Sequence, residues 1–273
     1  MRLANPLSAI GSIMVLALAL SAFEGSIAWG YPGGPLEDVT DAAPYCAGCH
    51  SSVDANQLRD MQGPRMQEML VASHIAAIKA GKENYSKLTA EQRAQLVADV
   101  EKVDTNAQVS LEVPAAVHAG ENFAATVGTQ GGSGPVIGVM LLDQDLRNQA
   151  REIEAEGFGI IGAPNVIGPD GQRQEQWEAR RYNNLPRNLN FLVVFGVDAD
   201  LATNRFSTTK VTYNLAAPSK PGKYTICAAF LYGTEKASPL GRVDMHGHTL
   251  PLGGFAGKSG RIKFTELKTI EVR

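Results

Sequence analysis

The feature that most constrains this chain is the pentapeptide Cys46-Ala47-Gly48-Cys49-His50. The C-x-x-C-H spacing is typical of covalent c-type haem attachment. Both thiols can reach the vinyl groups of one porphyrin, and the imidazole that follows can ligate the iron. A redox dithiol or half of a zinc site are the alternatives, but zinc would need two more ligands and Cys227 is the only other thiol. The motif therefore predicts one covalently bound haem c.

The first 28 residues have the pattern of an export signal. Arg2 supplies a positive charge, residues 10–22 are nearly continuously apolar, and Ser26-Ile27-Ala28 has the small residues of a cleavage site. The apolar run is shorter than the roughly 20 residues that span a membrane. The sequence predicts a signal peptide over 1–28, with an uncleaved anchor as the alternative.

Composition limits the remaining choices. The formal net charge of −3 gives no basic footprint for nucleic acid. If two of the three cysteines hold haem, no disulfide framework is left, and Cys227 is expected to be a buried apolar residue. The glycine-rich segment Gly131-Gly132-Ser133-Gly134 is predicted to be a flexible loop.

Residues 29–106 have helical patterns and are predicted to form a small haem-binding domain. Pro64 can open a helix over residues 65–79, which Gly81 would end. Thr89 and Gln92 have the spacing of a capping box and begin a third helix. The apolar face of that third helix comprises Leu96, Val97 and Val100.

From residue 107 onward the apolar period changes from helical to two. Gly- and Pro-rich turns separate the segments without regular crossover helices, which predicts a mainly antiparallel β-sandwich over 107–273. Residues 143–156 are predicted to be a helical excursion. The fold class is therefore α+β with two domains. The predicted strand residues are Val109, Leu111 and Val113; Phe123, Ala125 and Val127; 189–197; Val211, Tyr213 and Leu215; Tyr224, Ile226, Ala228 and Phe230; and a closing strand in 261–273.

The second axial ligand of the iron has four candidates downstream of the motif. Met66, Leu70, His74 and Ile78 recur every four residues, which places them on one face of the predicted second helix. A buried imidazole on that face needs a partner, so His74 ranks first as the ligand opposite His50. A core histidine bonded to a backbone carbonyl is the alternative. The other candidate ligands are Met66, Met61 and Met69, and an open position is also considered.

The early C-x-x-C-H motif and the closing helix after Thr89 resemble class I cytochromes c. The chain departs from that family because Met61 is followed by Gln62 and no Met-Pro pair occurs. The segment from Ala217-Pro218 to Pro221-Gly222-Lys223-Tyr224-Thr225 resembles the late strands of immunoglobulin-like bacterial modules. The two resemblances imply an exported monohaem cytochrome c joined to an immunoglobulin-like sandwich. They also imply a periplasmic or extracellular location in a bacterium, where c-type haem is attached.

These patterns predict a protein that transfers electrons to redox partner proteins, with the sandwich as a docking or anchoring module. No catalytic triad, phosphate loop or paired-carboxylate signature stands out, which favours an electron carrier over an enzyme. A haem-containing oxidoreductase subunit is one alternative. A haem sensor or copper-handling protein is another, because Asp244-Met245-His246-Gly247-His248 combines two imidazoles with a thioether. The sequence leaves membrane contact and self-association open.

Overall fold

The structure is a computed structural model that describes residues 74–134, 136–144, 152–175, 189–236, 242–245, 248–251, 254–255 and 260–273. The predicted signal peptide lies outside these ranges. So do six of the predicted haem residues, namely Cys46, Cys49, His50, Met61, Met66 and Met69.

Two helices precede the strands in the described part of the chain. Helix α1 spans Ile75–Ala80 and ends at Gly81, whose φ of 62° lies in the left-handed region that glycine enters without strain. A 3₁₀ turn over Glu83–Lys87 leads to helix α2, Ala90–Asn106. The predicted end of the second helix at Gly81 is therefore confirmed.

The predicted capping box at the start of α2 is also confirmed. Thr89 Oγ1 accepts a hydrogen bond from the Gln92 backbone amide at 3.2 Å, and Gln92 Oε1 accepts one from the Thr89 amide at 2.8 Å. Val97, Val100 and Val103 are buried along one face of α2, whereas Leu96 is only partly buried.

Most of the described chain is antiparallel β-sheet. One sheet has the strand order β1-β3-β11-β6-β7, with β5 also paired to β11; the other has the order β2-β16-β12-β4-β8, with β15 also paired to β12. Among the named strand pairs, β2 with β16 is parallel. The strands are β1 Gln108–Glu112, β2 Ala116–Val117, β3 Asn122–Gln130, β4 Val136–Leu142, β5 Gly159–Ile160, β6 Asn165–Ile167, β7 Arg173–Gln174, β8 Phe191–Phe195, β9 Ala199–Asp200, β10 Arg205–Phe206, β11 Thr208–Ala216, β12 Gly222–Gly233, β13 Arg242–Met245, β14 His248–Pro251, β15 Gly260–Phe264 and β16 Lys268–Val272.

The main core contains residues from both large sheets. In β3 and β11 every second residue is buried, as the predicted alternation requires, whereas β4 is buried along its whole length. Burial of residues from both sheets in a single cluster is consistent with a β-sandwich. The described residues are thus mostly antiparallel sheet with few helices. The alternating core residues are Phe123, Ala125 and Val127 of β3 and Val211, Tyr213 and Leu215 of β11.

Three sequence predictions need correction or completion. The segment Gly131–Gly134 lies outside helices and strands, as a loop does, but it is buried: a Cβ at Gly131 would lie 2.9 Å from the Cα of Ala107. The predicted closing strand is in fact two strands, β15 and β16. The first part of β12 pairs with β16 and its last part pairs with β15. Of the predicted excursion at 143–156, Ile153–Glu156 is a short 3₁₀ helix, and 145–151 lies outside the described residues.

Helix and sandwich meet with almost no connecting chain. Helix α2 ends at Asn106 and β1 begins at Gln108, so Ala107 alone separates them. Lys102 Nζ donates a hydrogen bond to the carbonyl of Leu201 at 2.7 Å, which ties α2 to the turn after β9. The division of the chain into two domains at residue 106 remains a prediction.

Candidate functional site

Of the residues predicted to hold haem, the structure describes only His74. His74 is 1% exposed and directly precedes α1. Its backbone carbonyl accepts a hydrogen bond from the Ile78 backbone amide at 2.9 Å. The prediction that this histidine is buried is confirmed. The residues that surround it come from the distant end of the chain.

Both ring nitrogens of His74 contact charged side chains of the sandwich region. Nε2 lies 2.5 Å from Oε1 of Glu235, which follows β12. Nδ1 lies 2.8 Å from Nη2 of Arg261 in β15. Glu235 and Arg261 are 2% and 4% exposed, so these contacts are made away from water.

The chemistry of the partners fixes the protonation of the ring. A guanidinium has donors and no acceptor, so Nδ1 of His74 must accept from Arg261 and carry no proton. A carboxylate accepts only, so Nε2 must carry the proton that it donates to Glu235. The imidazole is therefore neutral, and both nitrogens are used. In this arrangement His74 has no lone pair available for a metal and does not fit an iron ligand. No observation tests ligation itself, so that assignment stays a prediction.

The Glu235 carboxylate is the centre of the cluster. Its Oε1 also accepts a hydrogen bond from the Tyr85 hydroxyl at 2.8 Å, and its Oε2 accepts one from the Phe255 backbone amide at 2.8 Å. A Cβ at Gly254 would lie 2.3 Å from Glu235 Oε2, so a glycine at 254 allows the backbone this close approach. We name Tyr85, His74, Glu235 and Arg261 the junction cluster, because it joins the chain around α1 to the sandwich.

Burial shifts the titration of the junction cluster. Removal from water lowers the pKa of His74 below its ordinary value; the hydrogen bond that His74 donates to Glu235 opposes this shift, and the charge of Arg261 adds to it. Burial, together with the negative charge of Glu235, raises the pKa of the Tyr85 hydroxyl. Burial also lowers the pKa of the Arg261 guanidinium. The pKa shifts of His74 and Tyr85 thus favour a neutral imidazole and a protonated phenol in the junction cluster.

A second group of polar contacts joins the end of α2 to β12 and β15. The Tyr232 hydroxyl in β12 donates to Asp104 Oδ1. Lys263 Nζ in β15 donates to the backbone carbonyls of Asp104 and Ala107, at 2.5 and 2.9 Å, and lies 5.9 Å from the centre of the Tyr232 ring. Both ends of the described helical region therefore contact the same sheet. Glu235 after β12 and Arg261 in β15 contact the end at His74, whereas Tyr232 in β12 and Lys263 in β15 contact the end at Asp104.

Sequence reasoning identified His74 but missed its partners. Glu235 and Arg261 lie 161 and 187 positions away in the chain, and no spacing rule links them to the helix. The alternation of Arg261-Ile262-Lys263-Phe264 predicts that Arg261 lies on an exposed strand face, so no sequence signal indicated its burial.

The other predicted sites have mixed outcomes. Cys227 is fully buried in β12, which confirms its prediction as a buried apolar residue, and His118 is exposed. Of the proposed copper segment, His246 and Gly247 lie outside the described residues. Met245 in β13 and His248 in β14 are partners in the antiparallel backbone register. Among the described residues, no group of three or more His, Cys, Asp or Glu side chains could hold a metal ion.

None of the described helices is long and apolar enough to cross a membrane.

Comparison with known proteins finds no relative from which a family could be assigned. No protein-family model matches the chain, and no curated protein sequence matches it.

Proposed function

We propose that this chain is an exported monohaem c-type cytochrome that transfers electrons. The observation that carries the proposal is the pentapeptide Cys46-Ala47-Gly48-Cys49-His50 behind an export signal. Cys46 and Cys49 would hold the porphyrin by thioether bonds, and His50 would ligate the iron. The haem would supply reversible one-electron chemistry.

The sixth position of the iron would be filled by one of the candidates in the chain or left open. A methionine opposite a histidine raises the reduction potential, whereas two histidines would give a lower value. The hydrogen bonds of His74 to Glu235 and Arg261 favour the methionines Met66, Met61 and Met69 over this histidine.

We infer that the region from 107 to 273 is an immunoglobulin-like module that docks or anchors the haem-bearing part. Two mainly antiparallel sheets around one core support this assignment. The single residue between α2 and β1 supports a fixed rather than a swinging attachment. Redox partner proteins would then meet the haem on a surface that the sandwich holds in place. We propose a periplasmic or extracellular location.

Haem attachment is tested by intact mass after acid-acetone extraction, which removes haem that is not covalently bound. The mature wild-type chain should retain the mass of one haem. The Cys46→Ala, Cys49→Ala double variant should lose it, whereas Cys227→Ala, the matched cysteine control, should keep it. A double variant that retained its haem after denaturation would refute the assignment.

Electron transfer is tested by stopped-flow mixing of the reduced holoprotein with a soluble oxidised cytochrome. Reversible reduction and rapid exchange between the two haems are the expected results. A haem that did not exchange electrons but bound carbon monoxide or nitric oxide would favour a sensor instead.

A copper-binding protein is the second candidate, because the β13–β14 register places Met245 opposite His248. Elemental analysis of the purified holoprotein distinguishes the two. Copper in excess of background, and its loss in Met245→Leu and His248→Leu variants, would support this candidate. Iron alone, at one atom per chain, would support the cytochrome.

A further inference from the structure

We infer that Glu235 and Arg261 make His74 a positioning residue, which anchors the chain coming from the haem motif to the sandwich and does not ligate the iron. This inference rests on the proposed haem function and narrows it, because it removes His74 from the candidates for the sixth ligand. The anchoring itself rests only on contacts between described residues.

Both nitrogens of the His74 ring already have hydrogen-bond partners. A neutral imidazole has one N–H and one lone pair. Arg261 occupies the lone pair on Nδ1, and Glu235 accepts the proton on Nε2. A metal binds the unprotonated nitrogen of a neutral imidazole, and here that nitrogen already accepts a hydrogen bond. Iron could therefore bind only if one of the two contacts broke.

Breaking either contact of the His74 ring would take a partner from a buried charged side chain. Without His74, Arg261 Nη2 would lose an acceptor and Glu235 Oε1 would lose one of its two side-chain donors, in a site closed to water. A buried charged group that loses a partner carries a large desolvation cost. The sandwich thus opposes movement of the ring toward a haem.

His74 is the first residue of the described helical region. His74 directly precedes α1, and its carbonyl also accepts the hydrogen bond from Ile78 that begins this helix. Any force that the upstream chain exerts on α1 acts through this residue. Because the side chain is held on both nitrogens, the described helical region is fixed to the sheet at its first residue as well as at Asp104 near its end.

The test uses the holoprotein labelled with ¹⁵N and observes the His74 ring by NMR in the reduced, diamagnetic state. The expected signature is an unprotonated Nδ1 and a protonated Nε2, identified by disappearance of the signals in His74→Gln. A His74 ring with the shifts of an iron-bound imidazole would overturn the inference. This measurement needs no variant to keep its activity.

Optical spectroscopy supplies the second readout. His74→Gln, with haem attachment verified by mass, should keep the wild-type spin state and wild-type carbon monoxide binding, while its thermal midpoint falls. Conversion to a high-spin ferric haem that binds carbon monoxide when reduced would show that His74 is the ligand. If mass analysis finds no covalent haem, the proposed function fails, and the ring protonation still tests the anchor.

Rescue by a conservative change separates anchoring from general loss of packing. Glu235→Gln retains an oxygen acceptor for the His74 ring, whereas Glu235→Leu has a similar volume and no acceptor. We expect the thermal midpoint of Glu235→Gln to lie between those of wild type and Glu235→Leu, with the His74 ring protonation retained only in the glutamine variant. Equal midpoints and equal ring signals in the two variants would contradict the anchor.

Discussion

The side-chain amide of Gln174 forms two hydrogen bonds with the backbone of Phe195. Gln174 Nε2 donates to the Phe195 carbonyl, and the Phe195 amide donates to Gln174 Oε1, both at 2.9 Å. Gln174 lies in β7, the last strand of one large sheet, and Phe195 lies in β8, the last strand of the other. The glutamine amide therefore takes the place of a peptide group and joins the two sheets at one side of the sandwich.

We predict that Gln174→Ala lowers the free energy of unfolding by about 1–2 kcal/mol, since it removes two partly buried hydrogen bonds. Urea unfolding followed by fluorescence measures the change. Gln172→Ala is the matched control: Gln172 is exposed, so its loss should change stability by less than about 0.5 kcal/mol. Equal effects of the two substitutions would contradict the role of the Gln174 amide.

The Tyr232 hydroxyl gives a second prediction. Tyr232→Phe should retain the stacking on Phe230, whose ring centre is 4.7 Å away, but lose the donor to Asp104. We expect a loss of about 1–3 kcal/mol in the free energy of unfolding, because a partly buried carboxylate oxygen loses a partner. Tyr224→Phe is the control, since the Tyr224 hydroxyl donates to the Lys220 carbonyl in an exposed position. A larger loss in the Tyr224 variant would refute the prediction.

Because the pKa of His74 is lowered in the fold, we predict that the free energy of unfolding depends on pH. Its pKa is near 6.5 in the unfolded chain and lower in the fold, so folding favours the neutral ring. The stability due to this shift is fully present above pH 6.5 and decreases as pH falls from 6.5 through the folded pKa. Denaturant unfolding of wild type and His74→Gln between pH 8 and pH 5 should therefore show a stability difference that shrinks toward acid.

The exposed His118 provides the control for this pH series, because His118→Gln also removes one histidine. Its difference from wild type should not follow the curve of the His74 variant. A stability difference between wild type and His74→Gln that grew on acidification would contradict the neutral state of the buried ring.

The capping box of α2 gives a fourth prediction. Thr89→Ala removes the acceptor of the Gln92 amide and should cost about 1 kcal/mol of stability. Glu101→Ala, an exposed change in the middle of the same helix, should cost less than about 0.5 kcal/mol. Thermal unfolding monitored by circular dichroism measures both. If the two variants have the same midpoint, the Thr89 side chain does not contribute as a cap.

Local patterns in the sequence predicted local structure well. The Thr89 capping box, the helix end at Gly81 and the alternation of β3 depend on residues at most a few positions apart. Each of these features has a preferred backbone state that a short segment expresses on its own. The strands in the second half could therefore be recognised individually.

Long-range contacts could not be predicted in the same way. The partners of His74 depend on how β15 and the chain after β12 approach α1, which is a property of the sheet order. The burial of the loop at Gly131 could not be predicted either, because the Gly- and Ser-rich composition predicts only a loop, whereas the close packing on Ala107 is a long-range contact. The Gln174 contact has no sequence signal, since glutamine is common on exposed strands.

Cys227 pairs in the backbone register with Leu142 of β4, and its thiol is fully enclosed by the sheet core. If the chain is exported as proposed, it carries three thiols into an oxidising compartment, where an external oxidant could join any two of them in a disulfide while the chain is unfolded. Formation of the sheet removes the third thiol from this exchange, because a thiolate must reach a disulfide sulfur to attack it. If Cys46 and Cys49 bind haem as proposed, the speed at which β12 joins β4 would set how long a third thiol competes with them, and rapid folding of the sheets would protect both thiols until haem is attached.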